Sequence, residues 1–267
     1  MEITEEYLER YSRHILLKEV GGPGQKRLSR AKVLIIGAGG LGSPNILYLA
    51  AAGVGTIGIV DDDVVELSNL QRQVSHNSEE IGNPKVESAK KCALKINPNI
   101  QINVHNERLD SRNSGKLISK YDIVADGSDN FDTRLVVNDS CYAYEKPLVS
   151  AAINRFDGQI STFKAFQRKE GSSLHPCYRC FVPNSPPQEN TISCAETGVL
   201  GALCGVVGSI QATEVIKEIV GFGKSLSGSL FIVDGLCNEF RKISLPPDPN
   251  CPLCGLNPTT TKINKRK

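Results

Sequence analysis

The sequence has no long hydrophobic run. Its most apolar stretch, residues 198–212, is shorter than the roughly 20 residues of a membrane-spanning helix and is rich in glycine. The N-terminus starts with the acidic segment 1–6 and lacks the apolar core of a signal peptide. We therefore expect a soluble protein of the cytoplasm that makes no contact with a membrane.

The chain also lacks a large net charge. Its 31 Lys and Arg residues face 29 Asp and Glu residues, for a formal charge of +2. So small an excess gives no general attraction to nucleic acid or to an anionic membrane. The basic residues at the end fall in segment 257–267, which we expect to be a disordered tail.

Short apolar strands alternate with helical patterns in the first half of the chain. The predicted strands are residues 33–36, 57–60, 102–104, 123–125 and 148–150, and helices are predicted from near Leu41, from Pro84 to Ile96 and over 133–144. This order predicts an α/β fold with a Rossmann-like, mainly parallel sheet and helices on both faces. An N-terminal helix capped by Thr4 is predicted to precede it within residues 1–30.

The pattern changes at about residue 157. Strands at 159–166, 230–233 and 240–245, around a buried helix near 199–220, indicate a mainly antiparallel extension of the fold. We therefore expect two halves within one domain, residues 31–156 and 157–256. With 267 residues the chain can bury a sizeable core.

A glycine-rich segment follows the first strand. Residues 37–42, Gly-Ala-Gly-Gly-Leu-Gly, have the spacing of a nucleotide-binding loop, whose glycines let a phosphate approach the backbone at a helix N-terminus. Asp61 ends the next strand, where it can hold a ribose hydroxyl. These two features alone also fit an NAD-dependent oxidoreductase.

Further polar residues lie where a dehydrogenase has no need of them. Residues 68–73 read Ser-Asn-Leu-Gln-Arg-Gln, and Lys85 begins a helix, although helix N-termini repel positive charge. A bound triphosphate would explain that lysine. Asp129 and Asn130 follow a strand end, where they could hold Mg²⁺ or form an Asx-turn without metal. Because Gly37, Asp61 and Asp129 all follow strand ends, we expect one shared crevice.

Nine cysteines, an odd number, make a poor disulfide framework. Two Cys-x-x-Cys pairs, Cys177 with Cys180 and Cys251 with Cys254, would suit a structural tetrahedral Zn²⁺ site. The alternative is a redox pair, which usually accompanies a thioredoxin-like pattern that this sequence lacks. Cys194 precedes the buried helix, where a lowered thiol pKa would make it a plausible nucleophile. The remaining cysteines are predicted to be small buried hydrophobic residues: Cys92, Cys141, Cys204 and Cys237.

Taken together, these motifs resemble the family of ubiquitin-activating enzymes. The bacterial branch that contains the molybdopterin-synthase and ThiS adenylyltransferases is the most similar, and the resemblance runs from about Tyr11 to Cys254. It implies an ATP-dependent adenylyltransferase whose substrate is a small ubiquitin-like sulfur-carrier protein with a C-terminal Gly-Gly. It also implies a pathway of molybdopterin or thiamine synthesis.

The resemblance also implies roles for individual residues. The expected ATP contacts are Gly40, Asp61, Ser68, Asn69, Leu70, Gln71, Arg72, Lys85, Asp129 and Asn130, with Mg²⁺ held by Asp129. Arg13, in the segment Arg-Tyr-Ser-Arg, would cross the interface of a homodimer into the partner's active site. Cys194 occupies the position of a cysteine that some members use covalently. Arg13, Arg72, Lys85, Asp129 and Cys194 form the expected catalytic set.

Residues 31–156 would bind ATP, and 157–256 would bind the carrier and zinc. The chain ends soon after Cys254, so we expect no fused sulfurtransferase domain and a separate persulfide donor. Two alternatives remain. The first is an NAD-dependent oxidoreductase, which would not explain Arg72 and Lys85. The second is a non-catalytic scaffold for a ubiquitin-like protein, which would not need the charged residues of the crevice.

Overall fold

A computed structural model of the protein describes residues 4–169, 172–185 and 198–260. The strands are β1 (Lys32–Ile36), β2 (Thr56–Val60), β3 (Gln101–His105), β4 (Ile123–Asp126), β5 (Leu148–Asn154), β6 (Asp157–Phe163), β7 (Arg168–Lys169), β8 (Ser172–Ser173), β9 (Ser229–Asp234) and β10 (Glu239–Ser244). The helices are α1 (Glu5–Ile15), α2 (Gly21–Arg30), α3 (Gly42–Ala51), α4 (Lys85–Ile96), α5 (Ser114–Ile118), α6 (Phe131–Ala143), α7 (Tyr178–Phe181) and α8 (Gly201–Val220).

One sheet of eight strands forms the centre of the molecule, in the order β10-β9-β6-β5-β4-β1-β2-β3. From β3 to β5 every neighbouring pair is parallel, with Val33 opposite Ile57 on one side and Ile123 on the other. From β5 to β10 every pair is antiparallel. The predicted Rossmann-like sheet and its antiparallel extension are both confirmed.

Helix α8 packs across the boundary between the two parts of the sheet. It contacts α3, β4, β5 and β6. The side chain of Gln211 is fully buried, and its Nε2 donates to the carbonyl oxygens of Asp126 and Val149, each at 2.9 Å. Gly208 lies so close to the glycine loop that a Cβ there would be 2.6 Å from the carbonyl oxygen of Leu41. This helix therefore fixes the position of the loop relative to the sheet.

The hydrophobic core on this face draws on both parts of the sheet. It includes Val33 and Ile57 from the parallel strands, Ile160 and Val233 from the antiparallel strands, and Val207 from α8. Burial of these side chains is the main favourable contribution to folding.

Helix α1 is anchored by one buried aromatic residue. The hydroxyl oxygen of Thr4 accepts from the backbone N–H of Tyr7 at 3.1 Å, which confirms the predicted cap. Tyr11 is 6% exposed, accepts from Asn97 Nδ2 at 2.8 Å and lies against Gly53, where a Cβ would clash with its ring.

Two large apolar residues at the helix surfaces are exposed. Leu8 of α1 is 48% exposed. Ile96, the last residue of α4, is 37% exposed. Among the helices of the described residues, none combines the length and the apolar character needed to cross a bilayer.

Candidate functional site

A crevice of about 1030 Å³ opens at the carboxyl ends of the parallel strands. The predicted convergence of three strand ends is confirmed, because Gly37, Asp61 and Asp129 all line it. Of the expected ATP contacts, those lining the crevice are Gly40, Asp61, Asn69, Arg72, Lys85, Asp129 and Asn130. Ser68, Leu70 and Gln71 belong to the same segment but are not among the described residues that line it.

The glycine loop is held in a conformation that requires glycine. Gly37 has a φ of +89°, in the left-handed region. A Cβ on Gly42 would lie 1.9 Å from the carbonyl oxygen of Gly37, so the first turn of α3 packs directly on the loop backbone. Helix α3 thus presents its N-terminus at the crevice, an arrangement that favours a bound anion.

Asp61 is hydrogen-bonded to the backbone of the glycine loop. Its Oδ2 accepts from the backbone N–H of Ala38 at 2.7 Å, and its Oδ1 accepts from that of Asp63 at 2.9 Å. Burial raises the pKa of this carboxyl, while the nearby Lys85 charge and the hydrogen bond from Ala38 oppose the shift. The carboxylate retains lone pairs for a ribose hydroxyl.

Lys85 has a protein partner. Its side chain is buried, and Nζ lies 2.7 Å from Oδ2 of Asp63, whose side chain is 66% exposed. The backbone N–H of Lys85 also donates to the carbonyl oxygen of Asp63 at 2.9 Å. This pairing, and not only a bound triphosphate, accounts for a lysine at the helix N-terminus. Both groups line the crevice, so phosphate oxygens could compete with Asp63 for the ammonium.

Arg72 follows a short 3₁₀ turn over Leu67–Asn69. The side chains of Glu66 and Asn69 form a capping box around this turn, and Nη1 of Arg72 donates to the carbonyl oxygen of Ser68 at 3.0 Å. The guanidinium is therefore held against its own segment at the crevice wall, with donors left for a ligand.

Asp129 and Asn130 have different positions. Asn130 is the N-cap of α6, because its side-chain oxygen accepts from the backbone N–H of Thr133 at 2.9 Å. Its amide is 3.4 Å from Oδ1 of Asp129, which is exposed at the crevice. Asn130 therefore caps a helix and does not form the Asx-turn considered above, while the Asp129 carboxylate is accessible to a cation.

Arg13 lies away from the crevice. It is exposed in the last turn of α1 and is not among the described residues that line the crevice of this chain. The role implied for Arg13 stays a prediction. Cys194 lies outside the described residues, so its predicted position ahead of α8 stays a prediction.

Several crevice residues were missed by the sequence analysis. Arg134 is buried, and its guanidinium donates to the carbonyl oxygen of Ser128. Cys204 is only 1% exposed and also lines the crevice, so close to the loop that a Cβ on Gly40 would be 3.0 Å from its Sγ. Arg134 comes four residues after the helix cap Asn130, a spacing of about one helical turn, and this was the available signal.

Two cysteines predicted to be buried are not. Cys237 is exposed because it lies in the turn between β9 and β10, and Cys92 is half-buried on α4. None of the eight described cysteines forms a disulfide.

The four cysteines of the two Cys-x-x-Cys pairs meet in one cluster. Sγ of Cys177 lies 3.5 Å from that of Cys251, and Sγ of Cys180 lies 3.4 Å from that of Cys254. All four sulfur atoms are within 4.8 Å of one another. Sulfur atoms bound to one tetrahedral Zn²⁺ would be about 3.8 Å apart, from a Zn–S bond of about 2.3 Å. The cluster therefore has a geometry compatible with zinc.

Comparison with known proteins agrees with the architecture. The profile of the ThiF family matches residues 11–253. The sulfur carrier protein adenylyltransferase of Thermus thermophilus is 45% identical over 98% of this chain and 96% of its own length. The probable adenylyltransferase/sulfurtransferase MoeZ of Mycobacterium tuberculosis is 47% identical over 94% of this chain, which spans 63% of that protein.

A solved structure shares the fold. Crystalline E. coli MccB with MccA-N7isoASN superposes with a TM-score of 0.80 at 24% identity, over 93% of this chain and 74% of that one. At this identity the similarity concerns the fold alone. With a family match that spans nearly the whole chain and relatives above 40% identity, this protein belongs to the ThiF family.

Proposed function

We propose that this protein is an adenylyltransferase that uses ATP to activate the C-terminal glycine of a small ubiquitin-like sulfur-carrier protein. The observation that carries the proposal is the crevice itself. It is lined by the glycine loop, the carboxylate of Asp61, the cations of Arg72 and Lys85 and the exposed carboxylate of Asp129. The names of the relatives support the same activity. An oxidoreductase or a scaffold leaves most of these charges unexplained.

The crevice residues position the nucleotide and neutralise its charge. Asp61 would hold the ribose, Ser68 and Asn69 would contact the nucleotide, and Arg72 and Lys85 would bind phosphate oxygens. An oxygen of the carrier's glycine carboxylate attacks the α-phosphorus. The bond from that phosphorus to the bridging oxygen breaks, and its electron pair leaves with pyrophosphate. Fixed cations at the departing oxygens lower the barrier.

Asp129 has the chemistry of a Mg²⁺ ligand. It is an exposed carboxylate on the crevice wall, and Mg²⁺ usually takes one or two protein carboxylates together with phosphate oxygens. When bound, the ion would offset the negative charge of the phosphates. Asn130 would support this site through the amide that faces Asp129.

The proposed role of Arg13 requires a homodimer. Because this residue is exposed on α1 and lies outside the crevice of its own chain, it would act in the site of a partner subunit in a homodimer. The buried ring of Tyr11 holds α1 on the body of the protein, so Arg13 would be presented from a fixed helix.

The cysteine cluster is proposed to hold one structural Zn²⁺. Four thiolates complete a tetrahedron and leave no open position for substrate, so the ion would have no part in catalysis. Its ligands lie 74 residues apart along the chain, and the ion would tie the segment around Cys251 to α7. Reduced thiolates as ligands would suit a reducing cytoplasm.

The later steps use other molecules. The carrier adenylate would be converted to a thiocarboxylate by a separate persulfide donor, in molybdopterin or thiamine synthesis. Cys194 is the candidate nucleophile for a covalent carrier intermediate. Non-reducing mass spectrometry of the reaction mixture, compared with a Cys194→Ser variant, would detect or exclude such an adduct.

Carrier-dependent pyrophosphate exchange tests the activity. The purified protein is mixed with Mg²⁺, ATP, labelled pyrophosphate and candidate carriers, each with and without its terminal glycine. We expect label to enter ATP only with an intact carrier. Pyrophosphate exchange at the same rate without a carrier, or binding of NAD but not of ATP, would contradict the proposal. Mass spectrometry of the carrier then identifies which candidate is adenylated.

A further inference from the structure

His76 lies behind the crevice wall and is 8% exposed. Both of its ring nitrogens have partners. Nε2 is 2.9 Å from the carbonyl oxygen of Ala38, and Nδ1 is 2.9 Å from Oγ of Ser88. A carbonyl oxygen only accepts, so Nε2 carries a proton and donates to Ala38. In the neutral ring Nδ1 then accepts from the Ser88 hydroxyl.

These two bonds join three segments of the crevice. Ala38 belongs to the glycine loop. Ser88 is on α4, three residues after Lys85 and therefore next to it on the helix surface. His76 follows the turns that contain Arg72, and its backbone N–H donates to the carbonyl oxygen of Gln73 at 3.0 Å. One imidazole thus links the loop with both cation-bearing segments.

The neighbouring residue strengthens this connection. Oγ of Ser75 is 2.7 Å from Oγ of Ser43, in the first turn of α3, and both side chains are buried. Asp61 already holds the N–H of Ala38. His76 holds the carbonyl of the same residue, so the peptide groups on both sides of Ala38 are fixed by side chains from other segments.

The ring is neutral at physiological pH. Burial lowers the pKa of His76 from 6.5, and the nearby positive charge of Lys85 lowers it further, against the hydrogen bond to Ala38. A neutral ring adds no charge to the phosphate site. Its contribution is directional, through one donor and one acceptor at fixed positions.

We propose that His76 is a positioning residue for the nucleotide: it keeps the glycine loop, the Arg72 segment and the Lys85 helix in the relative arrangement that ATP requires. This inference rests on the proposed function for the identity of the ligand as ATP. It predicts that ATP affinity depends on the hydrogen bonds of residue 76, and not only on the volume that its side chain fills.

Two substitutions separate these possibilities. In His76→Phe a somewhat larger aromatic ring fills the site and both hydrogen bonds are lost. In His76→Gln the side-chain amide can still donate to Ala38. By calorimetry on the free protein, we expect the Kd for ATP to rise roughly tenfold in the first variant and less than about threefold in the second, because without a donor to the Ala38 carbonyl the loop is no longer held in the arrangement that binds ATP. If the His76 side chain only fills space, His76→Phe should bind ATP more tightly than His76→Gln.

Ser88→Ala removes only the link to α4 and serves as a second, milder variant if His76→Phe does not fold. We expect it to weaken ATP binding by about threefold, as for one neutral hydrogen bond. The matched control is Ser161→Ala, which removes a buried hydroxyl that donates to the carbonyl of Ser229 at 2.8 Å, away from the crevice. It should lower thermal stability without changing the Kd for ATP.

The outcomes are distinct. Equal ATP affinity in the wild type and His76→Phe, tighter binding by His76→Phe than by His76→Gln, or an equal loss in Ser161→Ala would overturn the positioning role. Failure of the proposed function has another signature, because the wild-type protein would then give no carrier-dependent pyrophosphate exchange, whatever the order of the ATP affinities.

Discussion

Replacing Cys251 with serine should remove the metal and loosen the C-terminal segment. Cys251 is fully buried in the cluster, and its Sγ lies 3.5 Å from that of Cys177. A serine hydroxyl is a poor ligand for zinc beside three thiolates. We expect the wild-type protein to contain about one zinc ion per chain, and Cys251→Ser to lose it during purification.

The loss of stability follows from the loop that the metal closes. Cys177 and Cys251 are 74 residues apart, and a cross-link over such a loop removes about 15 cal/mol/K of entropy from the unfolded chain, or about 4.5 kcal/mol at room temperature. With about 2.1 cal/mol/K per residue, the 267-residue chain has an unfolding entropy of about 0.56 kcal/mol/K. The melting temperature should therefore fall by about 8 °C.

Metal analysis, calorimetry and limited proteolysis together check this prediction. The matched control is Cys237→Ser, because Cys237 is an exposed thiol outside the cluster. In the metal-free variant the segment around Cys254 should be cut first, while ATP binding should be retained better than thermal stability. An unchanged zinc content, or a melting shift no larger than that of Cys237→Ser, would refute the assignment of the cluster as a metal site.

Three other perturbations test the crevice and its surroundings. Asp129→Ala should abolish carrier-dependent pyrophosphate exchange while circular dichroism stays unchanged, because this carboxylate is the proposed Mg²⁺ ligand and is exposed rather than packed in the core; wild-type exchange at saturating Mg²⁺ would remove it from the mechanism. Arg13→Ala should lose activity and regain part of it when mixed with Arg72→Ala, since one site of the heterodimer would keep both arginines; no recovery after demonstrated subunit exchange would argue against a shared site. Finally, burial lowers the pKa of His76, His105 and His175 from 6.5, so the unfolded chain binds protons at a higher pH than the folded protein does. The free energy of unfolding should therefore fall as the pH drops below about 6.5. Urea titrations across that range should show this fall, and its dependence on pH should be weaker in His76→Gln; a free energy that does not change with pH would contradict the prediction.

The parallel part of the fold could be predicted because its signal is local. Each strand is a short apolar run, each connection has a helical period, and the handedness of crossovers leaves few arrangements. The glycine loop and the residues after strand ends then had to meet at one edge of the sheet. These are the features that the structure and the sequence analysis have in common.

The features that the sequence analysis did not predict depend on contacts between distant segments. The pairing of Lys85 with Asp63 depends on the path of the chain between them, which no periodicity describes. Helix α8 is apolar on several faces, so its sequence does not show that Cys204 faces the glycine loop. His76 has no helical or strand period around it, and only the fold brings Ala38 and Ser88 to its ring. Arg13 is exposed on α1 and is not among the described residues that line the crevice, so the role implied for it stays a prediction.

The continuous sheet has a consequence for motion. Strand β5 is bonded to parallel β4 at one edge and, over its whole length, to antiparallel β6 at the other. Rotating one part of the molecule against the other would break this pairing and pull Gln211 from both of its carbonyl partners. The nucleotide crevice and the antiparallel surface are therefore parts of one rigid body. Within the described part of the chain, a hinge motion between them would first have to break these bonds.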